Sequence, residues 1–208
     1  MKLYDSIEKQ LPQYLAETGK KKLFDEIRNF PGNIDSRLYS NELRKEKKIF
    51  QGDGIYDLLA INLPDQRIDT LPGIILSNSC DIDPDNQRFF KSRVVYAPIF
   101  SLDKYKDFLI KDFVSKKKKS LESIESHVEE IRKQEITQIF YLPKGCYLQN
   151  ESIVFLDRII SCKLDKELYE AKAVRKIFTL SDYGFYMFLI KLSIHFTRLG
   201  EKIIRGPI

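Results

Sequence analysis

The sequence predicts a β-rich α+β protein, a small barrel or sandwich of short strands accompanied by amphipathic helices. From Ile49 onward, short apolar runs are separated by turn signals such as Gly52-Asp53-Gly54 and Pro64-Asp65-Gln66, which is the texture of antiparallel strands. Apolar residues at helical spacing gather elsewhere: in the first fifty residues, in a charged stretch of about 102–136, and from Ser181 on. A hydrophobic fraction of 43% over 208 residues suffices for a sizeable core and excludes wholesale disorder.

Taken in order, residues 1–48 read as a helical segment. Ile7, Leu11, Tyr14 and Leu15 recur at helical spacing, and Pro12 kinks or splits that helix. A second stretch, Leu23, Phe24, Ile27 and Phe30, is ended by Pro31-Gly32. A third helix over 36–48 takes Leu38, Tyr39 and Leu43 as its apolar face. Residues 49–208 form the strand-bearing domain, with strands predicted at 55–61, 73–77, 93–99, 139–142, 152–156 and 158–162. A loop rich in Asp, Asn, Ser and Pro is predicted at 78–86. The insertion at about 102–136 is charged and places Leu121, Ile124, Val128 and Ile131 on one helical face, which predicts a helix or a hairpin of two helices broken near 116–119. The last helix runs over 181–199, with Ser181 as its N-cap and Phe185, Phe188, Leu189, Leu192 and Phe196 as a packing stripe.

Thirty-five Lys and Arg against thirty Asp and Glu give a net charge of +5, a surface that tolerates a polyanionic partner without announcing one. No apolar run approaches the roughly 20 residues needed to span a bilayer. The start, Met1-Lys2-Leu3-Tyr4-Asp5, has no apolar h-region, so a cytoplasmic protein without a membrane partner is expected. Cys80, Cys146 and Cys162 are odd in number and lack metal-ligand spacing, which disfavours a disulfide framework and a zinc site; no metal or cofactor is expected. Phosphate-binding loop, dinucleotide and nucleophile-elbow signatures are absent. His127 is expected to be exposed and His195 to pack within the last helix, which makes a histidine-driven mechanism a poor fit.

The chemistry concentrates at 76–86, where Ser77, Ser79, Cys80, Asp81, Asp83 and Asp85 follow a predicted buried strand. Loops fixed by strand ends commonly carry sites. Cys80 acts as a nucleophile only if a neighbouring base or cation lowers its pKa. A packing reading stands beside this one, in which Ser77 and Asp81 satisfy loop N–H groups and Cys80 fills the core. Immediately downstream, Arg88, Lys91 and Arg93 are interleaved with Phe89 and Phe90, the residue types needed for phosphate pairing with base stacking, or for a hairpin with core aromatics and solvated cations. The run Lys116-Lys117-Lys118-Lys119 is a second basic cluster, either a solvated face or a nucleic-acid contact through Lys117 and Lys118.

In order along the chain, Gly52-Asp53 before an apolar strand, Leu71-Pro72-Gly73-Ile74-Ile75-Leu76-Ser77-Asn78, Val94-Val95-Tyr96-Ala97-Pro98-Ile99, Glu151 to Ile159, and Leu180-Ser181 before a helix resemble segments of the PemK/MazF family of toxin ribonucleases. The Ser77-Asn78-Ser79-Cys80-Asp81 sequence also resembles a Ser-x-x-Cys-Asp signature of larger bacterial relatives. The resemblance implies an SH3-like β-barrel at 49–208, with the N-terminal helices and the insertion as additions. It implies a toxin–antitoxin or phage-defence role and metal-independent endoribonuclease chemistry, with Ser77, Cys80, Asp81, Ser92 and Arg93 as candidate catalytic residues. Leu71 stands where the family has its catalytic arginine, so Arg93 or Arg88 would replace it, with Ser92 or Asp81 near the nucleophile. The implied partners are single-stranded RNA or another nucleic acid, an antitoxin or defence-system subunit, and a second copy of the chain unless the added helices block that surface. The alternative is a non-catalytic protein-interaction module, which the loss of the arginine favours. A Cys80-dependent enzyme is a third reading.

Overall fold

The computed structural model describes residues 34–62, 64–65, 67–86, 89–90, 92–114 and 120–197, with 29 and 32. The first two predicted helices lie outside the described residues. The class is α+β: the described residues form seven strands, β1 (Gly54–Asn62), β2 (Arg67–Ile75), β3 (Arg93–Ser101), β4 (Ile139–Leu142), β5 (Ser152–Phe155), β6 (Ile160–Lys163) and β7 (Lys176–Phe178), and five α-helices. The helices are α1 (Ser79–Ile82), α2 (Leu102–Leu109), α3 (Leu121–Arg132), α4 (Lys166–Ala173) and α5 (Asp182–Thr197). The strands form one antiparallel sheet in the order β4-β5-β3-β2-β1-β7, with β6 paired to β3 beside that path.

β3 organises the sheet. One of its edges pairs with β2 through Gly73↔Pro98, Ile74↔Ala97 and Ile75↔Tyr96. The other carries β6 at Arg93 to Tyr96 and β5 at Ile99 to Ser101. Pro98 falls in the gap between those two partners, where a missing N–H removes no ladder bond. β1 is bulged between Ile55 and Leu58, and there Asp57 takes a positive φ of 54°. Its carboxylate pairs with Arg175 at 2.5 Å, and its carbonyl accepts from Lys172 Nζ.

The closed barrel expected from the sequence is not observed: among the described residues the sheet is open, with β4 and β7 at its ends. The reason is visible at β4. The Gln134 side-chain amide donates to the Tyr141 carbonyl at 2.7 Å and accepts from the Tyr141 N–H at 3.0 Å, so a side chain occupies the edge that a closing strand would use. At the other end β7 reaches β1 only at Gly54 and Ile55.

The third predicted helix, over 36–48, is also corrected. Residues Ser36–Leu38 and Leu43–Lys45 form two 3-10 turns. Between them Tyr39 bridges to Leu180, and the Ser40 N–H donates to the Thr179 carbonyl at 2.8 Å. Backbone pairing to a distant segment outweighs the local helical pattern, and it buries Leu38 and Tyr39 in the core beneath α5. A second core lies between Ile49, Ile55, Ile75, Tyr96 and Tyr169, and a third beneath the insertion, around Leu102, Val128, Ile131 and Ile153. The insertion holds two helices, as expected, joined by the Lys106–Glu125 ion pair at 2.6 Å. Ser181 caps α5 by accepting from the Gly184 N–H at 3.2 Å. The loop predicted at 78–86 contains the single-turn α1, whose N-cap is Asn78. The sequence reading missed α4, β7 and the outer half of β2.

Candidate nucleic-acid groove

The site begins where β2 ends. The Leu76 and Ser77 N–H groups both donate to the Val95 carbonyl, at 2.8 and 3.2 Å, and the Ser77 hydroxyl accepts from the Val95 N–H at 2.8 Å. Ser77 is thereby fixed against β3. Asn78 Oδ1 then accepts from the Cys80 N–H at 2.9 Å and starts α1, whose Ile82 is buried in the second core.

A strap at 48–51 holds this loop from the other side. The Gln51 N–H donates to Ser79 Oγ at 2.9 Å, its Nε2 donates to the Leu76 carbonyl at 2.8 Å, and Lys48 pairs with Asp83 at 3.3 Å. The Asp83 carboxyl is held below its ordinary range, mainly by the Asp85 N–H and further by Lys48. The strap is itself anchored by the Ile49 N–H on the Tyr169 hydroxyl at 2.9 Å. Beside it Asp53 and Lys176 form a buried pair at 3.0 Å, over which the Phe50 N–H donates to Asp53 at 2.8 Å. Burial pushes the Asp53 carboxyl up, opposed by the Lys176 ammonium and the Phe50 N–H. Here the Gly-Asp pair singled out in the sequence closes a turn under the strap.

Ser77, Asp81, Ser92 and Arg93 come together. With Leu76, Phe90 and Val95 they line a groove of about 460 Å3. Phe90 and Ser92 also line an adjoining groove of about 510 Å3 that adds Asp83, Phe89, Lys163, Asp165 and Lys166. Phe89 is fully exposed and Phe90 is 69% exposed, so two aromatic rings stand at the rim. Arg93 is not loose: its Nε donates to Ser161 Oγ at 2.9 Å and its Nη2 to the Ser161 carbonyl at 2.8 Å. Cys80 is exposed but does not line the groove, which separates it from the other candidates. None of the cysteines is in a disulfide. Arg88, Lys91, Lys117 and Lys118 lie outside the described residues.

His127, expected to be exposed, is half-buried against the Tyr105 hydroxyl at 3.2 Å, within the insertion. His195 lies half-buried on α5. Among the described residues no cluster of three His, Cys, Asp or Glu side chains could hold a metal ion, and no helix is long and apolar enough to cross a membrane. Leu71 lines a different groove of about 730 Å3 with Arg67, Asp69, Pro98, Phe100 and Arg158. The Arg158 guanidinium there lies 4.0 Å over the Phe155 ring. Lys163, Lys166 and Gln51 were missed by sequence reasoning. Only strand register places Lys163, although Asp165 before an amphipathic Leu168, Tyr169 and Ala173 is a legible helix start.

Fold and groove together define an α+β protein with an open antiparallel sheet and a polar, aromatic-rimmed cleft where β2 ends and β3 begins. No protein-family model matches the chain, and neither does any curated protein.

Proposed function

We propose that this chain engages single-stranded RNA in the groove of Ser77, Asp81, Phe90, Ser92 and Arg93, as a divergent PemK/MazF-like protein of toxin–antitoxin or phage-defence type. The supporting observation is that residues separated along the sequence, Ser77 and Asp81 on one side and Ser92 and Arg93 on the other, share one groove with an exposed aromatic ring. Cations beside stacking platforms suit a flexible, unpaired polynucleotide. On this reading the sheet corresponds to an SH3-like barrel opened at β4.

The same groups supply metal-independent cleavage. The 2′-oxygen attacks the adjacent phosphorus while the P–O5′ bond breaks, leaving a 2′,3′-cyclic phosphate and a 5′-hydroxyl. Asp81 accepts the 2′-hydroxyl proton, water supplies the proton to O5′, and Arg93 stabilises the charge on the phosphorane. The test is incubation of the full chain with labelled single-stranded RNA in EDTA, beside Asp81→Asn and Arg93→Ala. Cleavage is expected from the wild type and to fall at least about 100-fold in each variant. Intact RNA with a folded wild type overturns the nuclease.

A second reading has its own observation. Leu71 sits in a cleft apart from the polar groove, and the β1–β2 hairpin beside it exposes Leu59, Ile61 and Ile68 at 39%, 41% and 66%. An exposed apolar surface of this kind fits a non-catalytic module that grips a protein partner, an antitoxin or a defence-system subunit. Intact RNA in the assay above would direct the search there.

A further inference from the structure

We infer that the Arg93–Lys163 rung, where β3 pairs with β6, is a phosphate subsite. This rests on the RNA reading above and places one phosphate within it. The two residues are register partners in an antiparallel ladder, so their side chains leave the same face of the sheet, and both are exposed. Like charges directly opposite one another destabilise a ladder. A carboxylate would ordinarily relieve such a pair, yet neither residue has an ion-pair partner among the described residues.

The surrounding carboxylates are committed elsewhere or face the bound group. Asp165 accepts from the Leu168 N–H at 2.9 Å, Asp83 pairs with Lys48, and Asp85 lies 4.0 Å from Lys166. Asp81 lines the groove itself, where a proton acceptor for the 2′-hydroxyl belongs. Arg93 is oriented by two bonds to Ser161 that leave Nη1 for an incoming oxygen. The two grooves meet at Phe90 and Ser92, with Arg93 in one and Lys163 and Lys166 in the other. An anion bridging the rung therefore has cations on two sides, a hydroxyl beside it, and an aromatic ring within reach of an attached base. That combination fits a phosphodiester with its neighbouring nucleobase better than a free inorganic anion, which would leave Phe89 and Phe90 unused.

The experiment is fluorescence anisotropy of the full chain with a labelled oligouridylate of about 12 nucleotides, from about 50 to 250 mM salt. The variants are Lys163→Gln, Arg93→Gln and, as a control on the insertion, Lys106→Gln. Each groove variant is expected to weaken binding about 3- to 10-fold at about 100 mM salt and to flatten the log–log salt slope by about 0.7, the single-strand value for one phosphate. Lys163→Gln should not lower the melting temperature, because it removes one member of a like-charged rung; Arg93→Gln also gives up two bonds to Ser161, so its binding is read on protein shown to be folded, and Lys106→Gln should bind as the wild type does. Wild-type binding with an unchanged slope in both groove variants overturns the subsite and leaves the RNA reading standing. No binding by the folded wild type overturns both.

Discussion

The least compensated charge in the described core is Lys191. Its ammonium is buried on α5 and donates to the Gln134 carbonyl, and burial brings its pKa down from 10.5 to about 8. The unfolded chain therefore binds more protons than the folded one between about pH 8 and 10.5, so this residue makes stability rise with pH across that window. Relative to Lys191→Met, the wild type is expected to gain about 2–3 kcal/mol between pH 7 and 10.5. Urea unfolding of both proteins at the two pH values checks this, and a constant difference would contradict it. Glu151 works in the opposite sense. Arg132 grips it at 2.9 and 2.8 Å and Tyr141 donates to it, which holds its carboxyl below the ordinary range. Its contribution is present above the unfolded pKa and is lost as pH falls through the folded one. The pair ties α3 to the start of β5, so the insertion is fastened to the sheet by a carboxylate as well as by apolar packing.

At the scale of elements, the seating of α5 depends on one glycine. A Cβ at Gly184 would lie 2.2 Å from the Leu38 carbonyl oxygen, and that oxygen accepts from the Ser181 N–H at 2.8 Å. Alanine is the better helix former by about 1 kcal/mol, but the obstacle is backbone that is already hydrogen-bonded. Gly184→Ala is therefore expected to destabilise the protein by about 2 kcal/mol net, read as a lower denaturation midpoint. Elements also divide the legible from the illegible. Strands with inward apolar runs, such as Ile139–Leu142 and Ser152–Phe155, could be read directly because both of their faces are covered. The outer half of β2, Arg67 to Thr70, is exposed and pairs only with β1, so its composition carries no burial signal. β7 is three residues long, too short for a periodicity. The 3-10 turns replaced a helix because Tyr39 and Ser40 pair with residues 179–180, a contact that no local window contains.

For the molecule as a whole, the same distinction separates the candidate site from its surroundings. The loop at 76–86 was legible because it follows a buried strand and is crowded with hydroxyls and carboxylates. Its proximity to Ser92 and Arg93 follows from the β2–β3 hairpin. Lys163 and Gln51 were not legible, since a sheet register and a crossing strap bring them there. That strap has a temporal side. Leu38, Tyr39, Ile49 and Asp53 complete their contacts with Ser181, Leu180, Tyr169 and Lys176, all made more than a hundred residues later on the ribosome. Early-synthesised apolar groups must therefore wait, uncovered, for the last quarter of the chain, and closures of such long range are slow. Chains stopped after Lys163 are expected to be protease-sensitive at 38–40 and 49–53, while the 208-residue chain is protected there; pulse proteolysis of the two would show it. Assembly thus runs against the direction of synthesis, and the cleft that the strap steadies takes shape only after residues 169–181 are in place.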